Sequence, residues 1–128
     1  MIETKEKLIQ FASSVQGKFT LSEDDLDAGS VGAALITQKG NIYTGICIDL
    51  ACGIGFCAEH SAIAEMLKNR ETKIEMIVAV GKRSILAPCG RCREIMMQLD
   101  KENRDTKVII SKDEVVNLNQ LIPNYWKD

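Results

Sequence analysis

The chain has 128 residues, 45% of them hydrophobic, 27% charged and 5% aromatic, the balance of a globular domain rather than of a disordered or fibrous chain. Sixteen basic against eighteen acidic residues give a net charge of −2 with no run of lysines or arginines, which argues against nucleic acid as a partner. No segment approaches the ~18 apolar residues of a membrane span. The length suffices for one domain over residues 1–128 with its own core, so a metal would mark a task rather than a staple. Five cysteines, an odd number behind an amino terminus (MIETKEKLIQ) without a leader pattern, fit a reducing cytoplasm in which thiols serve as zinc ligands or reactive groups.

Leu8, Phe11, Ala12 and Val15 stand at i, i+3, i+4 and i+7 and predict an amphipathic first helix. Gln16 to Ser30 is polar and acidic, with Glu23, Asp24, Asp25 and Asp27 close together, and predicts an exposed loop. Val31 to Thr37 and Ile42 to Ile48 are rich in β-branched and aliphatic residues. They flank Lys39-Gly40-Asn41 and predict an antiparallel hairpin. After a glycine-bearing loop at Gly53 to Gly55, the residues Ala58, Ala62, Ile63, Met66 and Leu67 mark a second helix that follows directly on Cys57. Ile74 to Val80 is apolar at almost every position after Glu75, as in a strand covered on both faces. A third helix begins near Pro88 with the stripe Cys92, Ile95, Met96 and Leu99. Lys107 to Ser111 reads as another strand, and Leu118 to Trp126 as a short helix stopped by Pro123. This succession of helix, hairpin, helix, strand, helix and strand is a layered α/β arrangement.

Cys57 opens the second helix, and Cys89 and Cys92 open the third in Pro88-Cys89-Gly90-Arg91-Cys92. At i and i+3 of a first turn two sulfurs project on one side, and the positive end of the helix dipole favours the thiolate that a metal requires. Zinc takes sulfur at about 2.3 Å in tetrahedral geometry, and three protein ligands leave a fourth position for water, as in catalytic rather than structural sites. Glu59, in Phe56-Cys57-Ala58-Glu59-His60, is a carboxylate placed to take a proton from that water and deliver it elsewhere. Three thiolates outweigh the ion's charge by one, and His60, Arg91 and Arg93 are the candidates to offset the excess. Blander readings stand beside these. A lone CxxC also serves as a redox pair or a structural half-site, and Cys52 would close the site as a fourth ligand. Cys47, inside the predicted hairpin, reads as a small buried apolar residue.

Cys57-Ala58-Glu59 followed by Pro88-Cys89-Gly90-Arg91-Cys92 resembles the signature of the cytidine deaminase family, CAE and then PCxxC. The resemblance runs from Val31-Gly32-Ala33-Ala34-Leu35 to Leu121-Ile122-Pro123. It implies a three-layer α/β/α fold with a five-stranded mixed sheet, a homotetramer, and one Zn2+ per chain on Cys57, Cys89 and Cys92. It further implies hydrolytic removal of the 4-amino group of a cytosine ring, with Glu59 as the catalytic proton carrier. Ala58 N–H would hold the base carbonyl, and the carbonyl of Ala87 would receive the exocyclic amine. Cysteine rather than histidine as the first ligand resembles the branch acting on free nucleosides, so the implied partner is a small cytosine nucleoside or analogue. The family's sugar-holding GxNxEN stretch stands here as Gly45-Ile46-Cys47-Ile48-Asp49-Leu50, which leaves Asp49 as the stand-in. A sugar site stripped of its hydrogen-bond partners discriminates strongly, and ordinary cytidine is expected to be a poor substrate. Arg83-Ser84-Ile85-Leu86-Ala87-Pro88 continuing to Arg93, together with Asn124-Tyr125-Trp126, resembles the blasticidin S deaminase subgroup. Arg83 and Arg91 would then meet a carboxylate on the substrate's sugar, or Arg91 would buttress the thiolates. Tyr125 and Trp126 would complete a pocket or pack against a neighbouring copy. The rival classes are a noncatalytic zinc-stabilised module and a nucleic-acid deaminase acting on cytosine or adenine.

Overall fold

The apolar run Ile74–Val80 has almost no polar face to offer water, and it lies in the interior of the sheet with its last four residues buried. The computed structural model describes residues 3–127. In chain order the elements are α1 (Thr4–Val15), β1 (Phe19–Thr20), β2 (Asp27–Thr37), β3 (Ile42–Asp49), β4 (Gly55–Phe56), α2 (Ala58–Lys68) and β5 (Ile74–Val80). There follow β6 (Ile85–Leu86), α3 (Gly90–Leu99), β7 (Lys107–Ser111), β8 (Glu114–Asn117) and α4 (Leu118–Leu121). The sheet order is β4-β3-β2-β5-β7-β8, with β1 added to β2 and β6 added to β5. Only the β5–β7 pairing is parallel, so the sheet is mixed. Among the described residues its strand count is eight rather than the expected five. The difference is the two-residue ladders β1, β4 and β6, too short to leave a pattern in the sequence.

Alternation along the strands divides the core in two. Leu35, Ile77 and Val108 meet Ala62, Ile63 and Met66 of α2 and Met96 of α3 on one face. Ala34, Val78, Val80 and Ile109 meet Leu8 and Ala12 of α1 on the other. The three layers expected from the sequence are therefore present. Phe11, expected on the buried stripe of α1, is instead 41% exposed. A Cβ at Gly32 would lie 2.4 Å from the carbonyl oxygen of Ala12, so at this point α1 rests on bare backbone.

The hairpin turn is as expected: Gly40 adopts φ 91°, its N–H donates to the Thr37 carbonyl at 2.9 Å, and Thr37 N–H donates to the Asn41 carbonyl at 2.9 Å. The loop expected over Gln16 to Ser30 is partly strand, since β2 begins at Asp27 and pairs there with β1. A register shift between Ala28 and Gly32, with Gly29 at φ 86°, breaks the two-residue period by which a strand is recognised. The edge strand β8, exposed apart from the half-buried Val116, left no alternating pattern to read.

Two buried polar side chains fasten the layers. Asn103 accepts the Ile74 N–H at 2.9 Å and donates to the carbonyls of Met96 at 2.9 Å and Thr72 at 3.0 Å, tying the end of α3 to the start of β5. Glu71, just past α2, accepts from Asn41 Nδ2 and the Tyr43 hydroxyl at 2.8 Å each, tying that helix to the hairpin. The Thr37 hydroxyl, the Asn41 amide and the Tyr43 hydroxyl hold the Glu71 carboxyl below the ordinary carboxylate range, against the opposing effect of burial. A carboxyl that binds its proton less readily folded than unfolded stabilises the native state at neutral pH, and that contribution is lost as the pH falls from about 4.3 through the folded value. Glu71→Gln is therefore expected to lower the urea-unfolding free energy at pH 7, with the deficit shrinking steadily on acidification. A deficit independent of pH would show that the carboxylate's charge contributes nothing.

Candidate metal centre

Local sequence decides where the thiols sit. Cys57 is the N-cap of α2, Cys89 the N-cap of α3, and Cys92 stands in the first turn of α3. The Cys57 side chain makes no hydrogen bond to its own helix, and Cys89 Sγ accepts from the N–H groups of Arg91 and Cys92, so both sulfurs stand beside the positive ends of the two helices. Cys57 Sγ lies 3.4 Å from Cys89 Sγ, which lies 3.5 Å from Cys92 Sγ, and all three fall within 4.8 Å of one another. A tetrahedron with bonds to sulfur of about 2.3 Å has edges of about 3.8 Å, so the three atoms are spaced as three of its corners. Cys52, exposed on the turn Ala51–Gly53, is outside the cluster, as is Cys47. Among the described residues no fourth sulfur closes the site.

The electrostatics of this group favour a cation. Burial pushes the Cys57 thiol up, helped by its contact with Cys89. Burial and the nearby Glu59 carboxylate push Cys92 up much further. Cys89, exposed at the surface, is held below the ordinary thiol range: the N–H of Cys92, the thiols of Cys57 and Cys92 and the N–H of Arg91 outweigh the burial that opposes them. Glu59, only 5% exposed, has its carboxyl raised by burial, partly offset by its own N–H and by the Cys92 thiol. Two thiols that resist ionising and one that ionises readily, with a buried carboxyl beside them, form a three-sulfur donor set suited to a thiophilic divalent ion, and the spacing suits zinc.

The expected charge-offsetting residues divide. His60 is driven toward its neutral form by burial and by the Arg91 cation, and its Nε2 is buried without a hydrogen-bond partner among the described residues. Arg93 donates from Nε to the Pro88 carbonyl at 2.8 Å and from its guanidinium to the Leu121 carbonyl at 2.9 Å, so it braces the start of α3 against the tail. Arg91 alone of the three lines the cleft above the thiols.

That cleft has a volume of about 480 Å³. Cys57, Ala58, Glu59, Ala87, Cys89 and Arg91 line it together with Ser30, Cys47 and Asp49. Arg83 lies elsewhere, in a second cleft beneath α1. Tyr125 and Trp126 converge on Glu94 of α3, the first through its hydroxyl and the second through Nε1 at 3.2 Å. Cys47 is more than core filler. Its Sγ meets the Ser30 hydroxyl at 3.2 Å, the Val31 N–H at 3.3 Å and Asp49 Oδ2 at 3.9 Å. The signal for it was its i, i+2 relation to Asp49, which puts both side chains on one face of β3.

Backbone contact sets the position of α2. A Cβ at Gly45 would lie 2.4 Å from the Ala62 nitrogen and 2.7 Å from the Ala58 carbonyl, so the first turn of α2 presses directly on β3.

The model of the family described as "Cytidine and deoxycytidylate deaminase zinc-binding region" matches residues 2–110. The chain is 30% identical over 71 residues to a cytidine deaminase of Mycobacterium tuberculosis, covering 54% of this chain and 53% of that protein. It is 29% identical over 99 residues to a cytidine deaminase of Halalkalibacterium halodurans, covering 73% and 74%. The matched region thus spans about half the length of the first of these relatives. The crystal structure of a cytidine deaminase from Burkholderia pseudomallei superposes with a TM-score of 0.78 at 26% identity, over 97% of this chain and 100% of that one.

Gly45→Ala is expected to lift the first turn of α2 from β3 and move Cys57 away from Cys89 and Cys92. Titration with Co2+, followed by thiolate-to-metal absorption, should show affinity reduced by about tenfold or more, with a lower melting temperature. Parent-like Co2+ binding would show that this close approach does not set the sulfur spacing.

Proposed function

Because the chain belongs to the cytidine and deoxycytidylate deaminase zinc-binding family, we propose that it is a zinc-dependent hydrolytic deaminase that removes the 4-amino group of a free cytosine nucleoside or cytosine nucleoside analogue. Glu59 carries this reading: it is a buried carboxyl beside three converging sulfurs, at the floor of a cleft open to a small molecule. Cys57, Cys89 and Cys92 would hold one Zn2+ per chain, and zinc, when bound, acidifies water so that hydrolysis proceeds at neutral pH. The Glu59 carboxyl, raised by burial, suits a group that must both take and give a proton near neutrality. Its oxygens would carry one proton of the attacking water to ring N3 as the water oxygen bonds to C4, and then that oxygen's second proton to the exocyclic nitrogen, so that the C4–N bond breaks, ammonia leaves and C4 is left as a carbonyl. Ala58 N–H, at the first position of α2 and so without an acceptor inside the helix, donates to the base carbonyl. The carbonyl of Ala87 receives the exocyclic amine, and together the two backbone groups orient the ring for attack.

The wall formed by Cys47 and Asp49 faces the sugar. Asp49 accepts a sugar hydroxyl, whereas the Cys47 thiol is a weak hydrogen-bond partner and holds ribose poorly. Arg91, which lines the same cleft, suits an analogue whose sugar carries a carboxylate, as in the blasticidin S type. The assembly is a homotetramer, in which neighbouring copies would cover the exposed Ile54, Phe56 and Leu86 around the mouth. A reducing cytoplasm keeps the thiols available.

Purified protein is expected to contain one zinc per chain. Glu59→Gln should retain the metal and lose deamination by about a thousandfold or more, whereas Cys92→Ser should lose the metal itself. Retained zinc in the parent with no turnover of any cytosine compound would overturn the proposal. Cytidine, deoxycytidine and blasticidin S compared side by side should give a lower kcat/KM for cytidine than for at least one of the others. Cytidine as the best of the three would refute the role given to Cys47 and Asp49.

A further inference from the structure

A second cleft, of about 690 Å³, lies on the other face of the sheet, between α1 and the turn joining β5 to β6. Its floor is apolar, formed by Ile9, Val80 and Ile85. Its rim is cationic: Lys5 comes from α1, Lys82 and Arg83 from the β5–β6 turn, and Lys112 from the turn after β7. Glu6 is the one carboxylate among the lining residues. This imbalance is local, since acidic residues outnumber basic ones over the whole chain. It is also not neutralised from within. The ion pairs among the described residues engage Lys18, Lys68 and Lys107, and none involves a cation of this rim. Lys5 Nζ donates to the main-chain carbonyl of Lys112 at 2.8 Å, which holds two of the cations together without supplying either with a counter-charge.

Like charges gathered around a concavity repel one another and raise its potential, and a polyvalent anion relieves that repulsion. Phosphate oxygens accept several charge-assisted hydrogen bonds at once from lysine and arginine. An apolar floor inside such a rim has room for a flat organic group. We propose that this cleft binds a small molecule bearing a di- or triphosphate chain, with the phosphates on Lys5, Lys82, Arg83 and Lys112 and its organic part on Ile9, Val80 and Ile85. The site is separate from the candidate metal centre, yet it shares a wall with it. Ile85 faces the cationic cleft while its neighbour Leu86 lines the cleft that holds the thiols. The proposal does not depend on the deaminase reading.

Calorimetric titration of the full chain at low salt, with adenosine triphosphate, inorganic tripolyphosphate and adenosine as probes, tests it. Both triphosphates are expected to bind saturably and adenosine not to. Adenosine triphosphate should bind more tightly than tripolyphosphate, which assigns the organic group to the apolar floor. The double variant Lys5→Glu/Lys112→Glu and the single variant Lys82→Glu should each weaken triphosphate binding by about tenfold or more. Lys39→Glu, on the distant β2–β3 turn, should not. Tripolyphosphate binding as tightly as the nucleotide would confine the site to the phosphate chain and overturn the role of the floor. Absence of saturable binding at millimolar triphosphate, or heat indifferent to the charge reversals, as extraction of zinc would give, would overturn the proposal. So would an assembly seen by sedimentation that dissociates in the double variant, because the cleft would then be an interface between copies.

Discussion

Two helix starts have to meet at one point for anything else in this molecule to matter. A cap residue at the head of α2 and a cap residue at the head of α3 come from segments thirty-two positions apart, and their sulfurs stand 3.4 Å from each other. Each helix brings the positive end of its dipole to the same place, beside its own cap sulfur. The helices are brought there by contacts made elsewhere. Gly45 lets the first turn of α2 rest on the backbone of β3, and Asn103 fixes the far end of α3 to the first residue of β5. Sulfur spacing is thus a consequence of backbone packing, which explains how an exposed thiol such as Cys89 can hold a defined position without a core around it.

The same packing creates an electrostatic demand. Cys57, Cys92 and Glu59 all have their acidities reduced by burial, and each charge formed there makes the next harder to form. Two of the flanking basic residues do little to relieve this, since Arg93 is bonded to the carbonyls of Pro88 and Leu121 and His60 is held toward neutrality, which leaves Arg91 as the one cation lining the cleft among the described residues. A divalent ion between the thiols is the simplest remedy, and it would leave Glu59 as the group whose proton affinity remains adjustable. The cationic excess lies instead on the opposite face of the sheet, beneath α1, where the alternation of Ile85 and Leu86 separates it from the thiols by the thickness of one strand.

What the sequence made legible was local. Helix starts are encoded within a turn, so Cys57, Cys89 and Cys92 could be placed at them, and Glu59 beside them, from spacing alone. The hairpin at Gly40 and the buried run Ile74–Val80 were legible for the same reason. The features that escaped depend on residues distant in the chain. Phe11 obeys the helical period of α1 yet is 41% exposed, while its neighbour Ala12 is the residue that rests on the bare backbone of Gly32. The first residues of β2 were hidden by a bulge that shifts the side-chain alternation. Asn103 and Glu71 look like ordinary polar residues until the carbonyls, amides and hydroxyls they satisfy arrive from other elements.

The candidate site is also divided in the kind of atoms it uses. Around the thiols, the groups assigned to the ring are main-chain atoms of Ala58 and Ala87, positioned by a helix start and by the segment after β6, and a side-chain change there alters little. The sugar, on the proposed reading, is assigned to the side chains of Cys47 and Asp49, which stand on alternate positions of one strand and line the same cleft. Backbone groups cannot be changed without moving the fold, whereas Cys47 and Asp49 can be exchanged on an unaltered β3. Chemistry and specificity are therefore separable in this architecture. On the proposed reading, a departure confined to that strand would change which nucleoside is held while leaving intact the sulfurs, the carboxyl and the two backbone groups that would act on the base.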